Sequence, residues 1–145
     1  MFVRRINQEP LPNKARKLPW PPFPTVSGGV SLLLSTDIWV AALIRRAEMA
    51  GAFAVVGRKG DARAGAVLVK VFNPRTGETR LYAEALRGDG ERFWMQPSPG
   101  RTEQDLDAYV ARSVRIDPDV WVVEIEDTEG RHFLVEPVEK DRPKA

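Results

Sequence analysis

The chain has 145 residues, 43% of them hydrophobic, which fits one domain with a core of its own. It holds no cysteine, and this excludes thiolate metal sites, iron–sulfur clusters, disulfides and cysteine nucleophiles together. The net charge of +2 is too even to argue for nucleic acid, but it is unevenly placed: residues 1–35 carry Arg4, Arg5, Lys14, Arg16 and Lys17 against Glu9 alone, so the remainder is mildly acidic.

Residues 1–34 read as a flexible, proline-rich basic tail. Pro10, Pro12, Pro19, Pro21, Pro22 and Pro24 lack the amide that a helix or a strand ladder needs, and they favour extended polyproline II structure. They also fill the place where a secretory signal needs its apolar segment, and no stretch reaches the roughly 20 apolar residues of a membrane span. The expectation is a cytoplasmic protein that makes no membrane contact, and the lack of cysteine suits a reducing compartment. The segment Leu18-Pro-Trp-Pro-Pro-Phe-Pro24 sets two aromatics among prolines. Trp20, Pro21, Pro22, Phe23 and Pro24 are therefore candidates for docking in the groove of a protein partner. The plain alternative is a spacer.

A single α+β domain is expected over residues 35–138. Ser35-Thr-Asp37 is a helix-start signal, and Ile38, Trp39, Ala42, Leu43 and Ala47 recur at helical spacing as far as Ala50. Gly51 follows, where a left-handed residue closes a helix. Strands are predicted over Phe53–Arg58, Ala66–Phe72, Thr79–Leu86 and Glu91–Met95. Between them lie the turns Lys59–Gly65, Asn73–Gly77 and Arg87–Gly90. A second helix starts at Thr102, where Thr102 and Asp105 resemble a capping box, with Leu106, Val110 and Val114 on its core face. Val120–Glu126 and Arg131–Glu136 are the last strands, separated by the turn Asp127-Thr-Glu-Gly130, and residues 139–145 form a charged tail. The order α-β-β-β-β-α-β-β with short turns predicts an antiparallel sheet of five to six strands packed against two helices.

Several separated blocks resemble one family of small bacterial proteins. They are Ile38-Trp-Val-Ala-Ala-Leu-Ile-Arg-Arg46, Gly51-Ala-Phe53, Ala64-Gly-Ala-Val-Leu-Val-Lys-Val71 and Ile116-Asp-Pro-Asp-Val-Trp-Val-Val-Glu-Ile-Glu126. The family is the bacterial domain-of-unknown-function family 1491, and the resemblance covers roughly residues 35–136. It implies no activity and supplies no catalytic residues. Its members begin close to the first helix, which adds a further reading of the proline-rich segment: translation from a start upstream of the natural one.

Chemistry is thinly supplied. His132 is the only histidine, and no serine sits in the Gly-x-Ser-x-Gly turn that exposes a nucleophile, so a structural or solvent-facing histidine is expected. Acidic residues crowd between Asp117 and Asp127. Glu124 and Glu126 share one strand face because the side-chain period is two, with Trp121, Val123 and Ile125 on the other. Such a pair is a candidate site for magnesium or manganese, with Lys70 on a neighbouring strand. The plain reading is a solvated strand face whose charges deter edge pairing. Lys59–Gly65 lacks the phosphate-loop pattern and reads as a hairpin turn. Arg45 and Arg46, near the negative end of the first helix, are candidates for an anion or partner contact; with Arg58, Lys59 and Arg63 they are a candidate basic patch for RNA, without the aromatic–basic signature of an RNA-reading strand.

The sequence by itself names no function. Its leading expectation is a non-enzymatic binding or adaptor protein that acts through protein–protein contacts and needs no cofactor. A metal-dependent hydrolase or nuclease using Glu124 and Glu126 comes second, and RNA binding third.

Overall fold

The structure, a computed structural model, describes residues 34–97 and 102–140. Among these residues two helices, α1 (Thr36–Met49) and α2 (Glu103–Ile116), accompany six strands: β1 (Phe53–Arg58), β2 (Val67–Asn73), β3 (Glu78–Leu86), β4 (Arg92–Gln96), β5 (Trp121–Glu126) and β6 (Val138–Lys140). The order along the chain is the one the sequence predicts. The capping box also forms: the Thr102 side chain accepts from the Asp105 amide, and Asp105 accepts from the Thr102 amide. Aspartate serves where glutamate is usual, because its shorter reach still spans one turn.

The sheet differs from the expected antiparallel one. Its strands lie in the order β1-β5-β2-β3-β4-β6, and two of its five pairings, β5 with β2 and β6 with β4, are parallel. β1 and β2 are therefore not a hairpin, because β5 enters between them. The Lys59–Gly65 connection bridges the start of that inserted strand. The Asp61 amide donates to the Asp119 carbonyl at 2.9 Å, and the Trp121 indole donates to the Asp61 carbonyl at 2.7 Å. Gly60 and Gly65 allow this close approach, since a Cβ on either would stand 2.1 or 2.3 Å from the Asp119 carbonyl oxygen. The same connection caps α1, whose first amides at Thr36 and Asp37 donate to the carbonyls of Arg63 and Ala62.

A second correction concerns the end of the chain. Arg131–Glu136 is not a strand; it crosses the α1 side of the sheet as irregular chain, and the last strand is Val138–Lys140. Phe133 adopts a left-handed conformation with φ of 61°, which no β-branched or bulky residue takes without compensation. Arg46 supplies it by donating Nε and Nη2 to the Phe133 carbonyl at 3.2 and 3.0 Å.

Each sheet face has its own core. On the α1 side, Trp39, Val40, Leu43 and Ala47 pack on Val69, Val71, Tyr82, Trp94, Trp121, Val123 and Ile125. On the α2 side, Leu106 packs on Leu68, Leu81, Val120 and Val122, with Tyr109, Val110 and Val114 beside it. The second cluster is smaller, and it lies toward one end of the strands. The other end of that face carries Lys70, Phe72, Glu124 and Glu126.

Candidate functional site

β1, β5 and β2 lie side by side, and their register builds two rows on the α2 side. Glu124 stands opposite Val55 and Lys70; Glu126 stands opposite Phe53 and Phe72. Residues in register share a face, so both carboxylates point to this side, as the strand period predicts. Together with Glu103 from the first turn of α2, these residues line a cavity of about 240 Å³. Phe53 is 63% exposed, a large apolar ring left in water beside two acids.

The charges in the cavity are unequally satisfied. Lys70 donates to Asp107 at 2.6 Å and faces Glu103 at 3.6 Å. Burial alone would lower the Lys70 ammonium. The Asp107 hydrogen bond and the fields of Asp107, Glu103 and Glu124 outweigh that and hold it above its ordinary range. Lys70 is thus a cation pinned by the helix. Glu124 and Glu126 make no ion pair or hydrogen bond among the described residues. Gly57, at the irregularity between Val56 and Arg58, leaves room for the Glu124 carboxylate: a Cβ there would meet Oε2 at 2.9 Å. No group of three or more His, Asp or Glu side chains placed to hold a metal ion occurs among the described residues.

Two of the basic residues singled out from the sequence are engaged within the domain. Arg46 is half-buried and committed to Phe133, with its guanidinium lowered chiefly by burial, whereas Arg45 is exposed. Arg58 donates to the carbonyls of Pro118 and Val120, both at 2.9 Å. His132 is packed edge-on against Tyr82 at 4.9 Å, its Nδ1 accepting the Leu134 amide at 2.9 Å. Burial, and then Arg80, lower its pKa, so it stays neutral near pH 7. Trp20, Pro21, Pro22, Phe23 and Pro24 lie outside the described residues.

One cluster escaped the sequence reading. Trp39 and Trp94 stack at 5.3 Å, and both indoles donate to Glu136, at 3.2 and 3.0 Å. Arg92 reaches Glu84 at 3.0 Å and Glu136 at 3.8 Å, and Glu84 accepts the Val67 amide at 2.9 Å. Burial raises the Glu84 carboxyl, although Arg92 and the Val67 amide pull it down. The available signal was that buried indoles need an acceptor. Nothing local in the sequence says that Glu136 provides it. Every polar group here is engaged within the domain, so the cluster fastens the crossing segment to the sheet.

The uncovered rows of the α2 side therefore hold carboxylates that are unpaired among the described residues. No curated protein matches the chain. Among solved structures, the chain is similar to a DUF1491 family protein from Caulobacter crescentus CB15, known from both a crystal and an NMR structure. Each is 74% identical with a TM-score of 0.70. The crystal structure matches over 73% of this chain and 99% of the relative. Atu0922 from A. tumefaciens is 35% identical over 77% of this chain and 98% of its own, with a TM-score of 0.62. A family model described as "Protein of unknown function (DUF1491)" matches residues 34–135, so the proline-rich segment falls outside it and the whole two-helix, mixed-sheet core up to β5 falls inside. The chain belongs to the DUF1491 family.

Proposed function

We propose that this domain is a non-enzymatic binding protein that works through protein–protein contacts, and that the uncovered end of its α2-side sheet face is the contact surface. One observation carries the reading: Phe53, Glu126 and Phe72 lie in one row across three strands, beside Glu124, and neither carboxylate is paired among the described residues. An exposed ring and a half-buried one beside carboxylates offer a partner an apolar centre with a polar rim. The internal commitment of Arg46 and Arg58 supports this face over the basic patch.

A capture experiment from native cells tests it with three baits: the full chain, residues 34–145, and the full chain carrying Phe53→Ala with Phe72→Ala. The expected result is a partner held by the first two and lost by the third. A partner held by the full chain and the double variant but not by residues 34–145 would move the contact to the Trp20–Pro24 segment and overturn the surface proposed.

A further inference from the structure

We infer that the cavity at Phe53, Phe72, Glu124 and Glu126 receives an arginine side chain from an extended basic segment of a protein partner. This rests on the reading of that face as the contact surface and names the chemistry it selects. Charge comes first. Lys70, the cation on the cavity wall, is held by Asp107 at 2.6 Å and by Glu103 at 3.6 Å. Glu124 and Glu126 are left as net negative charge. A phosphate or carboxylate would be repelled there. A bare divalent ion prefers six or more oxygen ligands, and the phenylalanine and valine walls offer none.

Shape decides among cations. Phe53 and Phe72 flank Glu126 in register, so an entering cation meets an aromatic ring on each side and a carboxylate between them. A planar guanidinium satisfies both, stacking on the rings while donating in parallel to the two carboxylate oxygens. An ammonium, compact and strongly hydrated, uses the rings less well. At about 240 Å³ the cavity lies below the roughly 300–1,000 Å³ of pockets that enclose whole small ligands, and it suits one side chain.

The source follows from the neighbouring strand. β1 is the outer strand of the described sheet and pairs only with β5, so its far edge has no strand partner among the described residues and is suited to strand addition. An extended segment lying there would point every second side chain over the cavity side, next to Phe53 and Val55.

The test is an amide-resolved NMR titration of the full chain with a blocked peptide of alternating valine and arginine, alongside the same peptide with glutamine for arginine, and N-acetylarginine methylamide. The arginine peptide is expected to shift residues 53–55, 70–72 and 124–126. Binding should weaken as salt rises from roughly 0.05 to 0.5 M. Glu126→Gln should weaken it at least roughly tenfold while the spectrum stays dispersed, and Phe53→Ala should weaken it as well. Equal binding of the glutamine peptide at this face would overturn the arginine inference and leave the contact surface standing. Equally tight binding of the single blocked arginine would overturn the peptide source. Shifts confined to other residues, or none at all, would sink the inference, whereas the capture experiment judges the surface separately.

Discussion

On the α1 side of the sheet, Glu84 and Glu136 sit among Trp39, Trp94 and Arg92 with each carboxylate engaged; on the α2 side, Glu124 and Glu126 stand beside Phe53 and Phe72 with no partner among the described residues. The same residue type is structural against one face of the sheet and available on the other. What differs is cover. α1 and the crossing segment 131–137 together close the first face, so a carboxylate there must be paired or pay desolvation. α2 closes only part of the second, and beyond its first turn the acids keep their water.

Substitutions should break along this line. The largest effect belongs to Trp94→Ala, which empties a fully buried site and removes one of the two donors to Glu136; about 3–5 kcal/mol of stability should be lost, measured by denaturant unfolding. Glu136→Ala should cost about 2 kcal/mol, because two buried indoles lose their acceptor, and hydrogen exchange should quicken in β6 and the crossing segment. Acid gives a third contrast, between neighbours. Asp127 is buried beside exposed Glu126, and its carboxyl is lowered to about 2, first by the Arg131 side-chain hydrogen bonds. A lowered folded pKa stabilises above the unfolded value near 3.8, and that stability is lost as pH falls from about 4 toward 2. The loss is well below about 2 kcal/mol, because solvent screens the pair at exposed Arg131, and Asp127→Asn should flatten the acid limb of the unfolding curve. Glu84 acts in the opposite sense: its raised carboxyl lets the folded state take up a proton early, which relieves a burial cost. The smallest effect belongs to the open face. Glu124→Gln with Glu126→Gln should change stability by no more than about 0.5 kcal/mol while abolishing binding at the cavity. A loss as large as that of Trp94→Ala would show that the two faces do not differ in kind.

The carboxylate pair itself was legible, since Glu124 and Glu126 alternate with Val123 and Ile125 and strand period alone sets their common face. Their surroundings were not. The aromatic neighbours Phe53 and Phe72 lie more than fifty residues away in sequence and meet Glu126 only because β5 enters between β1 and β2. Arg46 shows the reverse case: its place at a helix end suggested a free cation, yet the left-handed carbonyl of Phe133 claims it.

Local rules in the sequence were sufficient to determine both helices, the Thr102–Asp105 cap, the first five strands to within a few residues and the order of elements, because side-chain periodicity, capping and turn chemistry act within about ten residues. Only the tertiary structure decided the mixed sheet, the irregular crossing of residues 131–137 and the identity of each charge's partner. An alternating strand is equally suited to an antiparallel or a parallel neighbour. The choice between them is set by which faces the distant segments bury and by where Gly60 and Gly65 let the backbone approach Asp119.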